Sequence, residues 1–100
     1  MPEAVEITTF RLADGVDMAA FIAANEDISV LLKTRTGFIS RHICEREDAV
    51  VVHMLIWASV EDGNRTAAGI MSKMQSSPVH AAINQSTVYW SISAVRFALA

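Results

Sequence analysis

Two apolar segments that flank a short charged turn constrain the fold of this 100-residue sequence more than any other feature. Residues 38–45 and 49–57 have the length and the β-branched content of strands, and Arg46-Glu47-Asp48 lies between them. The pattern predicts an antiparallel hairpin and, for a tight turn, one register across it. The facing pairs in that register are Phe38 with Trp57, Ser40 with Leu55, His42 with His53, and Cys44 with Val51.

Both faces of this predicted hairpin are largely apolar. One face carries Phe38, Leu55 and Trp57, and the other carries Ile43 and the even-numbered residues of 50–56. Because two helices cover only one face of a four-stranded sheet, a second face exposed to water would be polar. We therefore predict a homodimer in which two sheets pack face to face. A slip or a bulge of one residue would exchange the two faces of a strand.

The segment before the hairpin predicts a strand and a helix. Alternation predicts a strand over residues 5–12, and Asp17 is a typical N-cap for a helix that ends near Gly37. The apolar stripe predicted for this helix comprises Met18, Phe21, Ile22, Ile28, Leu31 and Leu32.

The segment after the hairpin repeats this pattern. Ser59 and Asp62 resemble a capping box at the start of a second helix, in which Gly69 predicts close backbone packing. A short helix over residues 78–84 and a strand over residues 87–99 follow. The order strand, helix, strand, strand, helix, strand predicts an α+β fold, the ferredoxin-like βαββαβ arrangement, with a four-stranded antiparallel sheet, helices on one face and residues 1–100 as a single domain.

Composition narrows the classes of partner. The 8 Lys and Arg are outnumbered by 11 Asp and Glu, which argues against a nucleic-acid partner. No apolar run approaches the roughly 20 residues of a membrane span, and no secretory leader is recognisable. A single cysteine, Cys44, fits a reducing compartment. We predict a cytoplasmic protein whose partners are a second copy of itself and a small apolar or aromatic molecule, with neither nucleic acid nor membrane as a partner.

The candidate site residues cluster on the predicted hairpin. His42 and His53 are candidate catalytic residues, since histidine titrates near neutrality. The alternatives are a metal site completed by Cys44, or histidines that are simply satisfied by hydrogen bonds. Trp57 is either a core residue or the wall of a flat apolar cavity between sheet and helices. The residues predicted to bind a substrate there are Trp57, Phe38, Leu55, Phe21 and Met71; no metal and no cofactor are predicted.

Four segments resemble the antibiotic biosynthesis monooxygenase-like (ABM) family of dimeric α+β barrels. They are Ile7-Thr8-Thr9-Phe10-Arg11-Leu12-Ala13-Asp14-Gly15, Gly37-Phe38-Ile39-Ser40-Arg41, His53-Met54-Leu55-Ile56-Trp57-Ala58-Ser59 and Ser76-Ser77-Pro78. Some members are cofactor-independent monooxygenases that oxidise aromatic polyketides, and others degrade haem. The haem-degrading group has an asparagine on its first strand and a tryptophan in its second helix. Here the first strand has Thr8 and Thr9, and the second helix has no tryptophan.

The resemblance implies a cofactor-independent monooxygenase that acts on a small aromatic or polyketide-like substrate. In that reading His53 or His42 takes a phenolic proton, and Trp57 orients the ring. The alternative is a dimeric barrel that binds a small molecule in the same cavity without chemistry. A third reading is a dimer whose cavity is filled by its own side chains.

Overall fold

The computed structural model describes residues 2–73 and 77–100, the side chains of residues 71–73 excepted. The strands are β1 (Ala4–Leu12), β2 (Phe38–Glu45), β3 (Val51–Trp57) and β4 (Ile83–Ala94), and the helices are α1 (Met18–Ala24), α2 (Glu26–Leu32), α3 (Val60–Lys73) and a 3₁₀ turn at Pro78–His80. The sheet order is β2-β3-β1-β4, and each neighbouring pair is antiparallel. This confirms the predicted ferredoxin-like α+β fold.

The hairpin between β2 and β3 forms as predicted, but the tight-turn register is wrong over most of its length. The connection is a three-residue loop in which Ala49 adopts a left-handed conformation (φ 69°), and the Arg46 backbone N–H donates to the Val50 carbonyl at 2.9 Å. The extra loop residue shifts the pairing by one, so that Ile43 faces His53 and Arg41 faces Leu55. A β-bulge at Ile39 restores the predicted pairing of Phe38 with Trp57.

The shifted register moves His42 away from His53. His42 pairs with Met54, and successive residues of a strand point to opposite faces. The predicted pairing of His42 with His53 is therefore wrong, and His42 and Cys44 lie on the face opposite His53. Arg41 takes the place on the His53 face that the prediction gave to His42.

The sheet packs one face against the helices. The buried core lies on this inner face, and its largest fully buried side chains are Trp57, Phe21, Leu32 and Val51. The outer face carries Val5, Ile7, Val52, Met54 and Ile56, which are half-buried, together with Tyr89, whose side chain is 76% exposed. Trp90 and Tyr89 point to opposite faces, with Trp90 towards the helices.

The first predicted helix is divided at Asn25. The Asn25 side chain donates from Nδ2 to the Phe21 carbonyl at 2.7 Å, and the backbone leaves helical geometry there (φ −94°, ψ 2°). An asparagine side chain that binds local backbone in this way competes with helix propagation. The break turns the apolar stripe, and Ile22, which was predicted to be in it, is 52% exposed.

Three other local predictions, of a helix cap, a short helix and a close backbone contact, differ in outcome. Asp17 caps α1 as predicted, because its Oδ1 accepts from the Ala20 N–H at 2.8 Å. The predicted helix over residues 78–84 is shorter, since β4 already begins at Ile83. Gly69 has open space where a Cβ would be; the close approach is at Gly63, where a Cβ would clash with Ile92 and Trp57.

Within the described residues, no helix has both the length and the apolar character that crossing a membrane requires.

Candidate functional site

A cavity of about 590 Å³ lies between the inner face of the sheet and helices α2 and α3. This volume is typical of small-molecule sites, and its lining is mostly apolar. Its floor consists of Glu6, Thr8, His53, Leu55, Trp57, Val88 and Trp90, and its roof of Ile28, Leu32, Asn64, Thr66, Ala67, Ala68 and Ile70. Helix α3 touches the sheet at Gly63, and the alanines further along the helix leave the space open.

A buried carboxyl group closes one end of the cavity. Glu6 is 7% exposed, and its two oxygens accept N–H groups from two indoles. Trp57 Nε1 donates to Oε1 at 2.8 Å, and Trp90 Nε1 donates to Oε2 at 2.6 Å. Charge-assisted bonds of this kind hold both rings in fixed orientations. The pair of indoles therefore forms a rigid aromatic wall.

Arg41 and His53 lie on the neighbouring strands β2 and β3. The guanidinium donates from Nε to His53 Nε2 at 2.8 Å and from Nη1 to Ser29 Oγ at 2.7 Å. It also binds the Asn25 side-chain oxygen and, at 3.4 Å, the Asn25 backbone carbonyl. The helix break at Asn25 thus supplies two of the acceptors that hold Arg41 beneath α2.

The contact with Arg41 fixes the proton on His53. Because Nε2 accepts a hydrogen bond, the neutral ring carries its proton on Nδ1. Burial, and secondarily the positive charge of Arg41, lower the pKa of His53 to about 4. Burial likewise lowers the pKa of Arg41 to about 10, opposed by the attraction of Asp27. At neutral pH the site therefore contains a neutral imidazole beside a charged guanidinium.

Nδ1 of His53 is a donor open to a ligand. Among the described residues it has no hydrogen-bond partner, and none of their buried polar side-chain atoms lacks one, so this nitrogen is reached by solvent. His53 lines the large cavity and also an adjoining one of about 140 Å³. The arrangement is suited to binding an acceptor oxygen, whereas proton abstraction would require Arg41 to leave Nε2.

The structure brings together some of the predicted site residues. His53, Leu55 and Trp57 line the large cavity. Phe21 lines the adjoining small cavity, where its ring packs edge-on against Phe10 at 5.3 Å between centroids. The small and large cavities share Thr8, Ile28, His53 and Ile70.

The remaining predicted residues lie elsewhere. Phe38 lines a separate groove of about 440 Å³ and packs edge-on against Trp57 at 5.7 Å between centroids. His42 is exposed on the outer face of the sheet. Met71 belongs to α3, but its side chain lies outside the described residues.

Sequence reasoning missed Glu6, Arg41 and Asn64. Glu6 had a readable signal, because it alternates with the inner-face residues Ala4 and Thr8 along β1. Arg41 was assigned to the wrong face together with the rest of β2 beyond the bulge at Ile39. Asn64 stands on an exposed turn of a polar helix, where its sequence context gives no indication of a cavity.

Comparison with known proteins identifies the fold. No family model matches the sequence, and no curated protein matches it. SnoaB, a cofactor-independent oxygenase from Streptomyces nogalater, superimposes with a TM-score of 0.76 at 15% identity, over 99% of this chain and 98% of that chain. A candidate antibiotic biosynthesis monooxygenase from Bordetella bronchiseptica gives 0.76 at 12% identity, over 97% and 100% of the two chains.

A conserved protein from Methanosarcina mazei also superimposes, with a TM-score of 0.72 at 7% identity, over 94% of this chain and 93% of that chain. Identities this low carry information on fold and leave activity open. The chain has the ABM-like fold that its sequence motifs predicted.

Proposed function

We propose that this chain is a cofactor-independent monooxygenase that acts on a small aromatic substrate in the cavity between the sheet and α3. The observation that carries the proposal is the cavity itself: about 590 Å³, mostly apolar, lined by a fixed pair of indoles and an open imidazole donor. A planar phenolic molecule matches this combination of flat walls and one polar contact.

The reaction that fits this site takes its electrons from the substrate. A methylene carbon activated by phenolic rings loses a proton to water, and the resulting carbanion reduces molecular oxygen. One oxygen atom enters the new carbonyl group, and the other leaves as water with the two methylene hydrogens. The equation R₂CH₂ + O₂ → R₂C=O + H₂O balances without another reductant.

In this proposal, different cavity residues contact different parts of the substrate. Trp57 orients the ring and Leu55 contacts it, in keeping with the roles predicted for these two residues, and Trp90 completes the aromatic wall. His53 contacts the phenolic oxygen through Nδ1–H. The carboxamide of Asn64 and the hydroxyl of Thr66 offer further polar contacts at the roof. His42 has no part in this proposal, because it lies across the sheet from the cavity.

Turnover of an anthrone tests the proposal. We expect the purified protein to convert it in air to the anthraquinone, with ¹⁸O from labelled oxygen in the new carbonyl, and to leave it unchanged without oxygen. Ala67→Phe fills the cavity and should abolish turnover, whereas Ala19→Phe on the exposed side of α1 should not. Equal rates in the two variants, or a rate no higher than that without protein, would refute it.

A second candidate function is binding without chemistry. It is favoured by the arrangement at His53, whose basic nitrogen is occupied by Arg41. Mass spectrometry of a bound aromatic molecule before and after incubation in air distinguishes the two functions. A ligand that Ala67→Phe excludes, and that always leaves unchanged, would assign the protein to this class.

We also propose that the protein is a homodimer, joined through the outer face of the sheet. Five half-buried aliphatic side chains there, together with the exposed Tyr89, form an apolar surface that a second copy would cover. Sedimentation equilibrium at micromolar concentration should give a dimer. Met54→Glu in the middle of this face should give monomers, whereas Val30→Glu on exposed α2 should not. A monomeric native chain would overturn this proposal.

A further inference from the structure

We propose that the cavity binds its aromatic ligand as an oxyanion at Nδ1–H of His53, and that Arg41 is the positioning residue that fixes this donor and compensates the charge. The inference rests on the proposed function only in taking this cavity as the aromatic site. It adds the ionic form of the ligand and its orientation in the cavity.

The first step is the direction of the hydrogen bonds. Arg41 has donors only, so its contact with Nε2 commits His53 to accept there and to donate from Nδ1. The imidazole therefore presents an N–H to the cavity, which matches an oxygen lone pair on the ligand. Asn25 and Ser29 fix the guanidinium of Arg41. The imidazole bonded to it is therefore held in one orientation, and its Nδ1–H does not rotate away.

The second step is the charge balance of Arg41. All its hydrogen-bond acceptors are neutral: an amide oxygen, a backbone carbonyl, a hydroxyl and an imidazole. Within residues 2–73 and 77–100, no carboxylate is within ion-pair distance of it. Asp27 attracts the guanidinium only from beyond ion-pair distance, so the buried charge is incompletely compensated, and an anion one imidazole ring away reduces the cost of burying it.

The third step is the distribution of the other charged groups. Glu6 is the other charged side chain of the cavity floor, and both its oxygens are occupied by indole N–H groups. On the paired strands Glu6 faces Leu55 and Thr8 faces His53, so Glu6 is a diagonal neighbour of His53. Asp27 is on the exposed side of α2, bonded to the Ile28 N–H. An anionic oxygen is therefore repelled by the Glu6 carboxyl and directed to the Nδ1–H of His53.

The consequence for chemistry is that the site needs no base of its own for the phenol. A phenolate that forms in water and enters the cavity has already lost its proton to solvent. Its negative charge raises the electron density of the conjugated ring, which is the property that oxygen reduction requires. The ligand class is thus an aromatic molecule with an acidic hydroxyl conjugated to a carbonyl, oriented with its rings against the indoles.

A dye titration tests the inference without turnover. The probe is 2-hydroxyanthraquinone, whose visible absorption reports its ionisation and which is already at the quinone level of oxidation. Its neutral counterpart is 2-methoxyanthraquinone. We expect the hydroxy dye to bind as the anion at a pH where the free dye is mostly neutral. We also expect it to bind at least about tenfold more tightly than the methoxy dye, a difference of about 1.4 kcal/mol.

Variants locate the source of the preference. Arg41→Gln and His53→Phe should each remove the tenfold preference and the shift in dye ionisation, while the methoxy dye still binds. Arg65→Gln removes the same charge from an exposed ion pair with Asp62 and should leave both unchanged. Thermal unfolding establishes that each variant is folded, and the native comparison decides the question even where a variant does not fold.

The outcomes separate this inference from the proposed function. If both dyes bind equally, or the hydroxy dye binds in its neutral form, the oxyanion site is refuted while the monooxygenase proposal stands. If neither dye binds, both the aromatic cavity and the oxyanion site are refuted. If Arg65→Gln removes the preference as fully as Arg41→Gln does, the effect is one of net charge, and the assignment to Arg41 fails.

Discussion

Replacement of Glu6 is the sharpest test of how the cavity is held in shape. The Glu6 carboxyl is 7% exposed and accepts from two indoles, one fully buried (Trp57) and one 45% exposed (Trp90). Glu6→Ala removes both acceptors. The Trp57 N–H then stays buried without a partner, whereas water replaces the acceptor at Trp90.

The magnitudes follow from these two environments. A hydrogen bond to a charged group contributes about 1.5–3 kcal/mol, and an orphaned buried donor costs about 1–3 kcal/mol. We therefore expect Glu6→Ala to lower the free energy of unfolding by about 3–5 kcal/mol. Glu6→Gln keeps one oxygen for Trp57 and turns its NH₂ group towards Trp90, which predicts a loss of about 1–2 kcal/mol.

Urea unfolding at one fixed protein concentration measures these losses, with tryptophan fluorescence as the signal. Glu3→Gln is the matched control, because it neutralises an exposed carboxyl just before β1 and should change stability by less than about 0.5 kcal/mol. In a Trp90→Phe background the additional cost of Glu6→Gln should nearly disappear. If Glu6→Ala unfolds like the native chain, or if the cost survives Trp90→Phe, the reasoning about the two indoles is refuted.

Three further predictions follow from the backbone and from His53. Gly63→Ala should destabilise the protein by about 1–3 kcal/mol, because the added methyl group would push α3 away from Trp57. Gly69→Ala on the same helix should be stabilising, because the added methyl group has open space. Equal effects of the two substitutions in chemical denaturation would contradict this packing. Ala49→Gly should raise stability by up to about 1 kcal/mol in the same assay, since glycine adopts the left-handed loop conformation without strain, and a loss would contradict it. The folded pKa of His53 is about 4, so between pH 6.5 and pH 4 the imidazole is protonated in the unfolded chain but not in the folded one. The free energy of unfolding therefore falls by about 3 kcal/mol as the pH drops through that window. His53→Gln should remove this part of the pH dependence, and an unchanged slope would show that His53 titrates normally.

The element order was predictable because it is encoded locally. Each strand has its own apolar alternation, and each helix has a polar residue at its start, of which Asp17 is confirmed by its bond to Ala20. Such signals depend only on residues a few positions apart. The ABM-like motifs extended the prediction to the whole fold, and the comparison with solved structures confirms it.

The register was not predictable from the same information. Asp48-Ala49 lacks the glycine that marks a left-handed loop position, so the sequence does not distinguish a two-residue turn from the three-residue loop that forms. One residue in that loop decides which side of β2 faces the helices. The error passed directly into the candidate site, where it replaced Arg41 by His42.

The correct register is selected by a contact that no local pattern contains. With Arg41 on the inner face, its guanidinium meets the oxygens of Asn25 and Ser29 and the free nitrogen of His53. With His42 there instead, an imidazole would offer those acceptors fewer N–H groups than a guanidinium does, and Asn25 would lose the partner that holds its side-chain oxygen. The break between α1 and α2 thus supplies acceptors for the Arg41 guanidinium. The loop between β2 and β3 sets the register that places Arg41 beside them. The part of the cavity around His53 depends on both features together. Its residues can be read from the sequence, but their arrangement depends on contacts between distant segments, which local patterns do not record.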